Sequence, residues 1–126
     1  MIILIADDSC DFRERVRNLV IRHKNVHVIV ECDNGIEAMQ LLKEIRPDMI
    51  ILDIHMPLMN GIQVIKKMKE QGMKTVVCIL TSYPYPQYKR KCRALGADYF
   101  FNKSKDFEKI NTAIEEFLSS EVKHAS

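Results

Sequence analysis

Three carboxylates, a hydroxyl and a lysine stand at comparable places in this sequence. Asp7 and Asp8 follow one short apolar run, Asp53 closes another, Thr81 and Ser82 follow a third, and Lys103 follows a fourth. Carboxylates gathered within a few ångströms raise one another's pKa unless positive charge balances them. Asp7, Asp8 and Asp53 against the single ammonium of Lys103 leave a negative excess that one divalent cation neutralises. The available donors are oxygens and they are few, which selects a hard ion that keeps several waters: Mg²⁺, with Mn²⁺ as a substitute. A carboxylate left free to attack beside such an ion suits phosphoryl transfer to Asp53. The cation and Lys103 would neutralise the transferred group's oxygens, the Thr81 hydroxyl would donate to one of them, and the product would be an acyl phosphate.

That chemistry needs elements that bring distant residues together. Runs rich in Ile, Val and Leu at 2–6, 27–31, 49–53, 75–80 and 98–102 alternate with longer segments of helical spacing, which predicts parallel strands joined by crossover helices. Phe12, Val16, Leu19 and Val20 share one helical face; Ala38, Leu41, Leu42 and Ile45 share another; Ile62, Ile65 and Met68 mark a third segment at 61–71. The fourth, 86–95, offers only Tyr88, Cys92 and Leu95 to a core and turns Lys89, Arg90, Lys91 and Arg93 outward, so it is expected to be the most loosely held. Phe107, Ile110, Ile114, Phe117 and Leu118 define the fifth. Asp8-Ser9, Asn34-Gly35 and Asn60-Gly61 read as helix starts, and Gly72 and Gly96 as helix ends. Five strands and five helices make an α/β chain, expected to close as a doubly wound parallel sheet whose ligands lie beyond the carboxyl ends of the strands. With the strands in order 2-1-3-4-5, strands one and three are neighbours and the three carboxylates converge.

The 126 residues suffice for one domain, expected over 1–120 with a frayed tail at 121–126. A net charge of +2 is too mild to argue for nucleic acid as a direct partner. The apolar runs are far shorter than a membrane span, and no signal-peptide pattern opens the chain, so a cytoplasmic protein without a membrane partner is expected. Cys10, Cys32, Cys78 and Cys92 show no C-x-x-C spacing and read as reduced, mostly buried thiols. Taken singly, each chemical residue also has an ordinary structural reading: Asp8 and Ser9 as helix caps, Asp53 as a solvated strand end, Thr81 as a loop residue, Lys103 as a surface lysine. Their joint placement at successive strand ends is what packing does not require.

As a set, "LIADDS", "IILDIHMPLMNG", "ILTS" and "GADYFFNKS" resemble the motifs of response-regulator receiver domains of two-component signalling, over about residues 2 to 118. The resemblance implies a flavodoxin-like fold with the strand order given above. It implies Asp53 as phosphoacceptor, Asp8 and Asp53 as direct Mg²⁺ ligands, Asp7 as a ligand through water and His55 as a backbone-carbonyl ligand. Thr81 is implied as the switch hydroxyl, Phe100 as the switch aromatic and Lys103 as the lysine of the family pattern. A sensor histidine kinase, a phosphotransfer protein or a small acyl phosphate would supply the phosphoryl group. A downstream protein would then dock on the surface of helix four, strand five and helix five. Such a domain is a regulatory phosphoacceptor that catalyses only its own phosphorylation and dephosphorylation.

The sequence departs from the family pattern at three places. Ser104 stands where many receivers have proline, Phe100 lacks a tyrosine hydroxyl, and "SYPYP" at 82–86 places two prolines before the fourth helix. Strand alternation sets Tyr99 on the opposite face from Phe100. His55 and Tyr83, two positions beyond Asp53 and Thr81, are expected to line the path of the water that hydrolyses the acyl phosphate and to slow or reshape that step. A haloacid-dehalogenase-like Mg²⁺-dependent phosphatase is the alternative, although His55 occupies the place of its second Asp. A flavodoxin-like cofactor binder would need a phosphate loop after strand one that this sequence lacks. With no effector segment visible after the fifth helix, output is expected to come from docking.

Overall fold

The computed structural model describes residues 1–125, with side chains through Ser120. The last helix runs on to Ala125, through most of the stretch 121–126 expected to fray, and Ser126 lies outside the described residues. Five strands, β1 (Ile2–Ala6), β2 (Val28–Cys32), β3 (Met49–Leu52), β4 (Val76–Thr81) and β5 (Tyr99–Asn102), alternate with α1 (Cys10–Val20), α2 (Gly35–Ile45), α3 (Gly61–Glu70), α4 (Pro86–Ala94) and α5 (Lys109–Ala125). Every strand pairing is parallel, in the order β2-β1-β3-β4-β5. This is the flavodoxin-like doubly wound sheet expected from the sequence.

Near-continuous apolar runs form the central strands because both faces of a parallel sheet are covered by helices. Alternate residues feed two cores. Leu4, Ala6, Ile50, Leu52, Val77 and Ile79 point to one side and pack with Ala38, Met39 and Leu42 of α2, Val64, Ile65 and Met68 of α3, and Cys92 of α4. Ile3, Ile5, Met49, Ile51, Cys78 and Leu80 point to the other and meet Val16, Leu19 and Val20 of α1 and Ile110, Ala113 and Ile114 of α5. Each fully buried aliphatic side chain stabilises the fold by about 1.5–3 kcal/mol before entropy is counted, so the rigid centre of the molecule is the β1–β3–β4 triplet. Cys92 is the one buried side chain of α4, in line with the sparse apolar set of that helix.

Local signals place the helix starts. The Ser9 side chain accepts the Phe12 amide, Asn34 accepts that of Glu37, and Asn60 and Gln63 exchange both bonds of a capping box. Pro86 is the first residue of α4, where its missing N–H costs nothing, and Pro84 stays in the preceding loop. Gly72 and Gly96, at φ of +65° and +101°, close α3 and α4. Strand bounds differ from the apolar runs by a residue: β3 stops at Leu52, so Asp53 lies just past the strand, and β4 extends to include Thr81. Apolar character marks burial, whereas strand ends follow the hydrogen-bond ladder.

Candidate functional site

The register of the sheet assembles the acidic residues. Ala6 pairs with Leu52, so the next residues, Asp7 and Asp53, emerge side by side at the carboxyl edge, and the Asp53 amide donates to the Ala6 carbonyl at 2.9 Å. One oxygen each from Asp7, Asp8 and Asp53 lie within 4.8 Å of one another. Asp7 and Asp53 are buried and Asp8 is exposed. Lys103 reaches over from β5 and places Nζ 2.7 Å from Asp7 Oδ2 and 3.1 Å from Asp53 Oδ2. The other Asp53 oxygen, Oδ1, accepts the Ile54 amide at 2.7 Å.

These contacts set the electrostatics. Burial first, and then the neighbouring Asp7 charge, raise the Asp53 carboxyl above the ordinary carboxylate range despite the opposing pull of Lys103. Burial works against the Lys103 ammonium, but its ion pairs with Asp7 and Asp53 together outweigh burial and raise its pKa. Both directions hold at once because Lys103 gains from two carboxylates, while Asp53 must share one ammonium with Asp7. Negative charge is therefore in excess at this end of the sheet. All-oxygen donors, two of them buried, meet the requirements of a hard divalent cation that retains part of its water shell.

Thr81 is fully buried. Its Oγ accepts the Tyr83 amide at 3.0 Å, which leaves the hydroxyl proton free to donate. Phe100 pairs with Ile79 in the register and packs on the core that also holds Cys92, partly buried beside Tyr88, Leu95 and Ala97. Tyr99 and Phe101 pack on the opposite core, as alternation requires. The His55 side chain is exposed; its ring meets Tyr83 edge-on at 4.8 Å between centroids and Tyr88 at 5.7 Å.

Several supporting contacts were not legible in the sequence. Gly61 brings α3 against the loop that follows β3 so closely that a Cβ there would stand 2.2 Å from the Asp53 carbonyl oxygen. The pair Asn60-Gly61 signals a helix start, but nothing in it tells what the glycine touches. Arg13 donates through Nη1 to the Asp7 carbonyl at 2.7 Å while its Nε pairs with Glu31. The turn after Lys103 has no proline, and no cis peptide bond occurs among the described residues. Asn102 Oδ1 organises it by accepting from the Ser104 amide and hydroxyl, each at 2.8 Å, and Asp106 Oδ2 accepts the Asn102 amide at 3.0 Å. The side-chain amide thus supplies the bend that proline supplies elsewhere.

A family model described as the response regulator receiver domain matches residues 3–115. The probable C4-dicarboxylate response regulator DctR of Priestia megaterium is 31% identical over 96% of this chain and 53% of its own length. A protein-glutamate methylesterase/protein-glutamine glutaminase of Treponema denticola is 36% identical over 93% of this chain and 32% of its own length. Among solved structures, a DNA-binding response regulator of the LuxR family from Staphylococcus aureus superposes with a TM-score of 0.85 at 28% identity, covering 92% of this chain and 97% of that one. The chain thus spans about half the length of the first relative and a third of the second. No helix among the described residues is long and apolar enough to cross a membrane.

Proposed function

Since this chain belongs to the response regulator receiver family, we propose that Asp53 is its phosphoacceptor and that phosphorylation changes the surface formed by α4, β5 and α5. The observation that carries the proposal is the convergence of the Asp7, Asp8 and Asp53 oxygens within 4.8 Å under a lysine that bridges two of them. Asp8 and Asp53 would hold Mg²⁺, or Mn²⁺ in its place, with Asp7 acting through water and His55 through its backbone carbonyl. The cation would supply charge neutralisation to the oxygens of the group in transfer.

The chain's own residues perform the rest. Asp53 Oδ attacks phosphorus; the new O–P bond forms as the N–P bond of a donor phosphohistidine, or the O–P bond of a small acyl phosphate, breaks, and the electron pair leaves with the imidazole or carboxylate. Lys103 balances the incoming charge, and the buried Thr81 hydroxyl turns its free proton to a phosphoryl oxygen. Withdrawal of Thr81 toward the acceptor opens space beside β4 that the Phe100 ring fills. Because Phe100 lacks a hydroxyl, burial of the ring drives this movement. A partner then reads a population shift between two packings. The basic outer face of α4, the helix with one buried anchor, is the element best placed to respond. The donor would be a sensor histidine kinase or phosphotransfer protein, and the setting cytoplasmic.

The haloacid-dehalogenase-like reading has no support among these relatives, and position 55 carries an imidazole where that chemistry needs a second carboxylate. The test is intact mass after incubation with acetyl phosphate. Wild type should gain one phosphoryl group with Mg²⁺ and none without it, and Asp53→Asn none in either case. Phosphorylation of Asp53→Asn at the wild-type rate would refute the assignment.

A further inference from the structure

Lys103 has a third partner besides its two carboxylates. Its Nζ lies 4.3 Å from the centroid of the Phe12 ring, on the first half of α1. That ring is itself held in place: Phe107, just before α5, meets it edge-on at 5.7 Å between centroids and 73° between planes. The Arg15 guanidinium lies 4.6 Å from the Phe107 centroid and 5.4 Å from that of Phe12. The Lys103 side chain is only 13% exposed, so the ring shields the ammonium from solvent as well as facing it.

A lysine has four rotatable bonds, and its place here depends on what opposes their freedom. In the structure Asp7 and Asp53 do so. Those are two of the three carboxylates of the acidic cluster, and a cation held there weakens both ion pairs by competing for the carboxylates and by repelling the ammonium. The attraction of the negative face of an aromatic ring for an ammonium is not removed in that way.

Resting on the phosphoacceptor reading above, we infer that Phe12 is a positioning residue for Lys103: its ring face keeps the ammonium over the acidic pocket once the carboxylates are engaged, aimed at the group that arrives on Asp53. Phe107 and Arg15 fix the ring in turn, which ties the reach of Lys103 to the packing of α1 against the start of α5. Sequence periodicity marks Phe12 only as one member of the core-facing stripe of α1, and gives no sign of this contact.

The test replaces Phe12 in the full chain by 4-fluoro- and then 3,4,5-trifluorophenylalanine, which keep shape and apolarity while draining charge from the ring face. Two readouts are taken: the rate of phosphorylation by acetyl phosphate with Mg²⁺, and the NMR shift of the Lys103 ε-methylene with and without Mg²⁺. The rate should fall stepwise, by about threefold to tenfold across the series. The ε-methylene should keep its upfield ring-current shift when Mg²⁺ is added to wild type, and lose it in Phe12→Leu. A flat rate series, or a Lys103 resonance that leaves the ring when Mg²⁺ binds, overturns the inference. Should wild type accept no phosphoryl group at all, the acceptor assignment fails instead, and the resonance alone decides whether Phe12 holds Lys103.

Discussion

Gly61→Ala tests how the acceptor loop is held. A Cβ on residue 61 would lie 2.2 Å from the Asp53 carbonyl oxygen, 2.9 Å from the Ile54 Cα and 3.0 Å from the Asp53 carbonyl carbon. All three are backbone atoms, so no side-chain rotation relieves the contact. Reaching an ordinary separation requires the loop or the first turn of α3 to move by roughly an ångström, against the Gly61 amide that donates to the Ile54 carbonyl at 2.7 Å. Overpacking of this kind costs about 1–3 kcal/mol. For a chain of this length that lowers Tm by about 4–11 °C, from an unfolding entropy of roughly 2 cal/mol/K per residue. The larger effect is on chemistry, since misplacing a reacting group by an ångström reduces rate on the order of 100-fold. Gly72→Ala is the control. It has nothing within 4 Å and a φ of +65°, so it costs about 1–2 kcal/mol of backbone strain at a distance from the site. Circular-dichroism melts and the rate of phosphorylation by acetyl phosphate should show two comparably destabilised variants, of which only Gly61→Ala loses rate. Equal rates in the two would refute the argument that this close approach positions Asp53.

The raised pKa of Asp53 has a sign for stability. Its folded value lies above the unfolded one, so without a divalent cation stability falls as pH rises from about 4, the ordinary carboxylate range, through the raised native value. Urea unfolding at neutral pH should therefore find metal-free Asp53→Asn more stable than wild type. Mg²⁺ at a hundred times its Kd should stabilise wild type by about 2.7 kcal/mol and Asp53→Asn by much less; the reverse order would contradict the charge excess. His55→Ala with Tyr83→Ala, which removes the edge-on ring pair beside the acceptor, should shorten the lifetime of the phosphorylated state as followed by ³¹P NMR, and an unchanged lifetime would clear both residues of that role. The chain has no tryptophan, so Phe100→Trp installs a single tryptophan whose emission can be excited apart from that of the tyrosines. Its emission should shift to the blue on phosphorylation and stay fixed in a Thr81→Ala background; a red shift would mean that the ring moves outward.

What the sequence made legible follows from which interactions are local. Strand and helix types were readable because apolar spacing and caps such as Ser9, Asn34 and Asn60 act within a few residues of themselves. Asp7, Asp8, Asp53, Thr81 and Lys103 were readable as a group because each ends or follows an apolar run, and a doubly wound sheet collects such ends at one edge. The contacts that tune the site join segments far apart along the chain: Gly61 against the Asp53 backbone, Arg13 on the Asp7 carbonyl, Phe12 under Lys103. Each has a sufficient local explanation as a helix start, a surface arginine or a core aromatic, and so carries no visible mark of its second role. Asn102 lies between these cases. Its position before Lys103 and Ser104 is plain in the sequence, and an amide that accepts from residues two positions on is a familiar turn device. The missing proline was the clue that such a device was needed.

The central claim is that Asp53, and neither of the carboxylates beside it, receives phosphorus. Borohydride reduces an acyl phosphate of aspartate to homoserine, leaving a permanent record at the residue that carried it. Peptide mapping after acetyl phosphate, Mg²⁺ and borohydride should find homoserine at position 53 alone, and none when Mg²⁺ is replaced by a chelator. Homoserine at position 7 or 8, or at position 53 in equal yield with the chelator, would contradict the account.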